Sequence, residues 1–115
     1  MTLYHFACVH SARFILDGGG RLLPNLHPVL NIPVIWMTSS YRSTAAELGL
    51  ASTQLVKCNR MAVRFAIDDP VDAVPWSAIR DKLPPRVALQ FEGARGTRPA
   101  LWWISTATQS ARVDN

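Results

Sequence analysis

The sequence predicts one α+β domain over residues 1–115, with a curved, mostly antiparallel sheet and a few short helices. Short apolar segments of strand character alternate with short segments of helical spacing, which is the pattern of a mixed fold. The length of 115 residues suits a single hydrophobic core. Neither GxGxxG nor GxxxxGKS/T occurs, so the glycine signatures of the common phosphate-binding loops are missing.

Composition and charge narrow the class of protein. With 49% hydrophobic and 17% charged residues, the chain can bury a core and does not resemble a disordered segment. No apolar run reaches the roughly 20 residues of a membrane span, and no basic segment precedes an apolar one at the N-terminus, so we expect a soluble, cytoplasmic protein without membrane contact. The net charge is +4, and arginine supplies ten of the twelve basic residues. Arginine suits phosphate and carboxylate recognition, which favours an anionic ligand such as a nucleotide or nucleic acid. The basic residues are scattered along the chain, however, and fit a solvated basic surface equally well.

Four segments are predicted as strands from their apolar runs or alternation, and we expect the first three to be central neighbours in the sheet. They are residues 3–9, 34–40, 62–67 and 100–105. Residues 107–115 are predicted as a loose tail or a last edge strand, and residues 25–33 as a loop because of their two prolines. An imidazole, His5, stands inside the first of these strands.

Helices are predicted from caps and spacing. Ser11 is the expected N-cap of a helix of about two turns with Phe14 and Ile15 on its apolar face, and the glycines at 18–20 end it.

Two further helices are expected later in the chain. Thr44 and Glu47 fit a capping box for a short helix that Gly49 closes. Pro75 suits the first position of a helix with Trp76, Ile79 and Leu83 at helical spacing, whereas residues 86–93 fit either a helix or a strand.

Several kinds of site are not supported by residue spacing. Cys8 and Cys58 match no metal motif and no disulfide framework, so we expect buried free thiols. The three histidines lack HxH or HExxH spacing, so no metal site is predicted. A GxSxG nucleophile elbow is also missing. Of the two glutamates, Glu47 is assigned to a cap, which leaves Glu92 as the candidate catalytic carboxylate.

Four features in order resemble the small ADP-ribosyltransferase-like fold. They are "YHF" in the first strand, a short helix, a glycine turn followed by "LLP", and a strand ending in "WMTSS". The resemblance extends over about the first 50 residues and is looser in the second half. The superfamily includes DNA-targeting ADP-ribosylating toxins and RNA 2′-phosphotransferases. Membership would imply a split, curved sheet and NAD as cofactor. The ADP-ribosyl group would be transferred or hydrolysed, by a transferase or an NAD glycohydrolase, with water, nucleic acid, a phosphate or a protein side chain as acceptor.

The resemblance also assigns roles to the nucleotide-contacting residues. His5 would bind a ribose hydroxyl and act in catalysis, with Phe6 beside it. Trp36 would stand near the position that stacks on nicotinamide, and Thr38 and Ser39 would line the pocket.

The resemblance assigns the remaining roles to charged residues. Glu92 would stabilise the oxocarbenium-like ribosyl cation as nicotinamide leaves, because a negative charge placed where positive charge develops lowers the barrier. Arg60 or Arg64 would hold the diphosphate.

The residues alone leave two other functions open. One is a non-catalytic nucleotide or nucleic-acid binding module that uses arginines and an exposed tryptophan. The other is a small inhibitor or accessory protein anchored by a tryptophan. Trp102 and Trp103 point to opposite faces of a strand, so at most one of them is expected fully inside the core. The oligomeric state is not predicted.

Overall fold

Short strands and short helices alternate along the chain, as the apolar pattern predicts. The structure is a computed structural model that describes residues 1–50 and 58–114. The radius of gyration is 13.5 Å, close to the value of about 13 Å expected for one domain of this length. In chain order the elements are β1 (Leu3–Ala7), α1 (Val9–Asp17), β2 (Arg21–Leu22), β3 (Asn25–Leu26), β4 (Pro33–Thr38), β5 (Val63–Ile67), β6 (Val74–Pro75), α2 (Trp76–Arg80), α3 (Pro85–Glu92), a 3-10 helix (Pro99–Leu101), β7 (Trp102–Ser105), β8 (Gln109–Ser110) and β9 (Arg112–Val113).

A main sheet of seven strands organises the domain. Its order is β6-β7-β4-β1-β5-β9, with β3 paired to β4, while β2 and β8 form a separate two-stranded sheet. Every pairing among the described residues is antiparallel. The predicted α+β class is therefore confirmed, and so is the prediction that β4, β1 and β5 are central neighbours.

The pairing between β1 and β4 is unusually short. Strand β1 pairs with β5 along its whole length, from Leu3 opposite Ile67 to Ala7 opposite Val63. It pairs with β4 at one position only, Tyr4 opposite Thr38. A gap therefore lies between the C-terminal part of β1 and the preceding part of β4, and this gap positions the candidate site.

The core lies mainly between the main sheet and α1. Side chains of β1 and β5 alternate, so Leu3, Phe65 and Ile67 share one face of the sheet, and all three are completely buried. Ala12 and Ile15 of α1 pack in the same cluster. Apolar side chains at alternate strand positions thus give the sheet one apolar face, and α1 packs on that face.

The start of α1 differs from its prediction. The first strand ends at Ala7 and the helix begins at Val9, with Cys8 instead of Ser11 as the N-cap. Phe14 does not belong to the buried face, since 80% of it is exposed. The buried positions are Ala12 and Ile15, three residues apart, and this spacing leaves Phe14 on the outward side.

After β4, the local sequence signals predict contacts correctly but do not fix the type or the bounds of each element. The Thr44–Glu47 capping box forms, with the Thr44 N–H 2.8 Å from Glu47 Oε1 and the Glu47 N–H 3.2 Å from Thr44 Oγ1, although it stabilises turns and not a regular helix. Of the ambiguous residues 86–93, residues 86–92 fall in α3, which begins at Pro85, and Gly93 is its C-cap. The tail contributes both β8 and β9.

The expectation of free thiols is wrong. Cys8 and Cys58 form a disulfide across 50 positions of sequence. Cys8 directly follows β1 and Cys58 precedes β5, so the antiparallel pairing of these strands brings the two residues to the same end of the sheet. Spacing along the chain does not reveal this long-range relationship.

Two expected absences concern metals and membranes. No group of three or more metal-ligating side chains is found in residues 1–50 and 58–114. Over the same residues, no helix is both long and apolar enough to cross a membrane.

Candidate functional site

A cavity of about 660 Å³ opens in the gap between β1 and β4. This volume falls within the range of about 300–1,000 Å³ that is usual for small-molecule sites. Residues 4–8 of β1 and the following turn form one wall, and residues 36–38 of β4 form another. A smaller cavity of about 180 Å³ lies beside it and shares His5, Asn25, His27 and Trp36 with it.

His5 bridges the gap between the two strands. Its Nδ1 lies 2.7 Å from the carbonyl oxygen of Trp36. Because that oxygen can only accept a hydrogen bond, Nδ1 carries the proton. The imidazole thus partners a β4 carbonyl at the point where β1 no longer supplies a backbone partner, which explains a histidine inside this strand.

The second nitrogen of His5 has no hydrogen-bond partner among the described residues. Burial lowers the pKa of His5 below its ordinary value of 6.5, and the hydrogen bond to Trp36 opposes this only in part, so the ring is neutral near pH 7. In that state Nε2 is an acceptor. No buried side-chain nitrogen or oxygen lacks a partner among the described residues. No hydrogen bond to Nε2 is present there, and His5 borders both cavities.

His27 is a site residue that the sequence analysis did not assign. Its Nδ1 accepts hydrogen bonds from the backbone N–H groups of Val29 at 3.2 Å and Leu30 at 3.3 Å. Burial lowers the pKa of His27, so its ring is also neutral near pH 7. The proton therefore resides on Nε2, which is a donor. The signal in the sequence is weak: a histidine followed by proline in a predicted loop.

Aromatic rings form the wall opposite β1. Trp36, Phe91 and His27 contact one another, with ring centroids 5.6 Å apart for Trp36 and Phe91, 5.2 Å for His27 and Phe91, and 6.0 Å for His27 and Trp36. Behind them lie Trp76 and Trp102, both buried. Trp36 is only partly buried and lines the cavity. Its ring packs in this cluster and also borders the cavity.

The polar residues at the end of β4 are divided by strand alternation. Thr38 lines the cavity, but its hydroxyl is bonded to the Ser43 hydroxyl at 2.9 Å and accepts from the Ser40 N–H at 3.2 Å. Ser39 is not among the lining residues, and its N–H donates to the carbonyl of Leu101 at 3.0 Å. Of the two residues predicted to line the pocket, only Thr38 therefore does so.

The two candidate arginines have different surroundings. Arg60 lines the cavity near Cys58 and is the only cation among its described lining residues. Arg64 is not a lining residue, because its guanidinium lies 3.1 Å from Asp114 Oδ2 and 3.1 Å from the carbonyl oxygen of Tyr41. Phe6, like Arg60, lines the cavity.

Glu92 is held elsewhere. Its carboxylate accepts the indole N–H of Trp76 at 2.6 Å and forms an ion pair with Arg80 at 2.7 Å. Although its neighbours Gln90 and Phe91 line the cavity, Glu92 does not. The structure therefore does not bring His5 and Glu92 together, and no described residue that lines the cavity is acidic.

Neither Trp102 nor Trp103 is an exposed anchor. Trp102 is buried, as the alternation predicts for one of the pair. Trp103 is partly buried and packs against the main core cluster, so it does not project as a free anchor.

No protein-family model, curated protein or solved structure matches this chain. The site is accordingly interpreted from its own geometry.

Proposed function

We propose that this chain is a nucleotide-binding protein of the ADP-ribosyltransferase-like type, with NAD as the ligand of the cavity between β1 and β4. The proposal depends most on one observation: the cavity lies where β1 and β4 cease to pair, with His5 at its wall. The resemblance of residues 1–50 to that superfamily implies a split sheet and a histidine at this point.

The lining residues fit the parts of NAD. Trp36 and Phe91 offer aromatic surface to a planar ring, and such stacking contributes about 1–3 kcal/mol for a nucleobase. Arg60 offers a guanidinium to the diphosphate. Cys8, the N-cap of α1, and Ser11, in its first turn, line the same cavity. Since α1 has no side-chain cap, the positive end of the helix favours an anion there.

Binding has more support than turnover. Cleavage of the nicotinamide–ribose bond develops positive charge on the ribose, and a nearby carboxylate is the usual way to stabilise it. Glu92 was predicted for this role, but its carboxylate is bonded to Trp76 and Arg80 outside the cavity. Transfer or hydrolysis of the ADP-ribosyl group thus stays a prediction, and the choice between transferase and glycohydrolase depends on it.

Calorimetric titration with NAD tests the binding proposal. We expect saturable binding that weakens in Arg60→Gln, because the diphosphate loses its cation. Arg95→Gln is the matched control, since Arg95 is exposed and lies outside the lining residues. No binding at millimolar NAD, or equal losses in both variants, would remove the proposal. Release of nicotinamide, measured in the same samples, reports turnover separately.

A second candidate is binding of single-stranded nucleic acid without catalysis. A specific surface favours it: Tyr41 is 45% exposed, and the guanidinium groups of Arg42 and Arg64 lie 5.1 and 5.4 Å from its ring centroid. Aromatic rings beside cations are typical of such surfaces. Oligonucleotide affinity should then fall steeply with salt and in Tyr41→Ala. Affinity that is independent of salt, or unchanged in this variant, would remove this candidate.

A further inference from the structure

Two neutral histidines that border the same two cavities have opposite hydrogen-bonding polarity at Nε2. The N–H of His5 is used by the Trp36 carbonyl, which leaves an acceptor at Nε2. The acceptor of His27 is used by the N–H groups of Val29 and Leu30, which leaves a donor at Nε2. Each tautomer is fixed by the backbone, so neither ring can exchange its role without losing these bonds.

The bond to Trp36 limits the hydrogen bonds that His5 can offer to a ligand. A histidine with both nitrogens available could offer one donor and one acceptor to a ligand. Here His5 offers only an acceptor, since its donor is already occupied. The missing donor is provided by His27, which borders both cavities together with His5 and contacts the ring of Trp36.

We infer that His5 and His27 together bind the vicinal diol of one ribose, so that the site selects ribonucleotides over their 2′-deoxy forms. This inference rests on the proposed function and adds a residue and a specificity to it. One hydroxyl donates to Nε2 of His5, and its neighbour accepts from Nε2–H of His27. Adjacent hydroxyls can donate and accept simultaneously, whereas a deoxyribose leaves one imidazole nitrogen without a partner. Sites built to bond a hydroxyl reject analogues that lack it for this reason.

The tautomers are tested first, without any ligand. Long-range nitrogen–proton NMR correlations distinguish the two neutral tautomers of each histidine. At about pH 7.5, where both rings are neutral, we expect the proton on Nδ1 of His5 and on Nε2 of His27. The opposite assignment for either ring would overturn the inference, whether or not a nucleotide binds.

Two asparagine variants separate ligand contacts from structural ones. In His5→Asn, the side-chain amide N–H can replace Nδ1–H at the Trp36 carbonyl, while the Nε2 acceptor is lost. In His27→Asn, the side-chain oxygen can still accept from the turn at Val29, while the Nε2 donor is lost. His10→Asn is the matched control, because His10 is exposed and outside the cavity lining.

The binding test compares NAD with two analogues, each carrying 2′-deoxyribose on one side. We expect one analogue to bind about three- to tenfold more weakly than NAD, as loss of one hydrogen bond predicts. Both cavity variants should weaken NAD binding by a similar factor. The variant whose histidine bonds the 2′-hydroxyl should bind that analogue and NAD equally, whereas His10→Asn should match the unmodified protein.

Three results would overturn the inference. Equal affinity for NAD and both analogues would show that no ribose diol is recognised. Discrimination that persists in both His5→Asn and His27→Asn would assign it to other residues and leave NAD binding itself intact. No binding of NAD at all would remove the proposed function and this inference together.

Discussion

The indole N–H of Trp76 donates a hydrogen bond of 2.6 Å to Glu92, and this bond joins α2 to α3 beneath the aromatic wall of the cavity. Trp76 is 1% exposed, so its N–H has no access to water. A buried donor of this kind must have a partner within the protein. The geometry therefore gives Glu92 a structural role at the back of the site.

Glu92→Ala should lower the free energy of unfolding by about 1–3 kcal/mol, because it leaves the Trp76 N–H without a partner. Glu92→Gln should cost about 1 kcal/mol or less, since its amide oxygen can still accept and the lost ion pair involves the half-exposed Arg80. Urea denaturation measures both. If Glu92→Gln instead abolishes nicotinamide release from NAD while stability and NAD binding persist, Glu92 is catalytic and the structural role is not its main one.

Protonation of the cavity histidines should destabilise the fold. Burial lowers the folded-state pKa of His5 and of His27 below the ordinary value of 6.5. Their contribution is therefore complete above about pH 6.5 and is lost as the pH falls below this value toward the lowered folded pKa. The other ionisable side chains among the described lining residues are Tyr4 and Arg60.

Thermal unfolding between about pH 7.5 and pH 5 measures this effect. We expect the melting temperature to fall with pH in the unmodified protein and in His10→Asn. The fall should be smaller in His5→Asn and His27→Asn, because each has lost one of the groups that must protonate. An identical pH profile in all four proteins would contradict this explanation.

Local patterns in the sequence predict the sheet and one wall of the site. Alternating or continuous apolar residues locate β1, β4 and β5, and burial of Phe65 and Ile67 on one face follows directly from their spacing. The same alternation could have removed Ser39 from the pocket, because consecutive strand residues point to opposite sides. The position of His5 is readable since it interrupts an apolar strand.

The rest depends on contacts between distant segments. Glu92 seemed available because nothing near it in sequence pairs with it, yet α2 supplies both Trp76 and Arg80. The tautomer of His27 depends on the turn that follows it, which residue type alone does not specify. Long-range pairing of this kind is set by the three-dimensional fold, so composition and spacing do not reveal it.

The glycine turn after α1 provides a matched pair of substitutions. Gly19 and Gly20 both have positive φ, +76° and +81°, where an alanine costs about 1–2 kcal/mol. A Cβ on Gly19 would meet nothing within 4 Å, whereas one on Gly20 would lie 2.5 Å from the carbonyl oxygen of Ala111. That contact also endangers the 2.7 Å hydrogen bond from the Ala111 N–H to the Gly20 carbonyl.

We therefore expect Gly20→Ala to destabilise the protein by at least about 1 kcal/mol more than Gly19→Ala, as overpacking against a fixed backbone predicts. Denaturant unfolding of the two variants measures the difference. Equal losses would mean that backbone conformation alone determines the need for glycine in this turn.

The disulfide between Cys8 and Cys58 should stabilise both the fold and the cavity. It closes a loop of 50 positions, for which the chain-entropy relation gives about 4 kcal/mol. Both cysteines line the cavity, and Arg60 follows Cys58 by two residues. Reduction should thus lower the free energy of unfolding by about 2–4 kcal/mol and weaken NAD binding, because the cation that faces the diphosphate is less firmly held.

Thiol titration in denaturant checks the premise, with no free thiol expected in the oxidised protein and two after reduction. Unfolding and NAD titrations are then run with and without dithiothreitol, which is oxidised as it converts the disulfide to two thiols. The variant in which both cysteines are replaced by serine is the control, because it should match the reduced protein and ignore the reductant. Since disulfides are rare in reducing compartments, the cytoplasmic location expected from the sequence would favour the weaker-binding form. A reduced protein with unchanged stability would show that the crosslink is not needed to join β1 to the segment before β5.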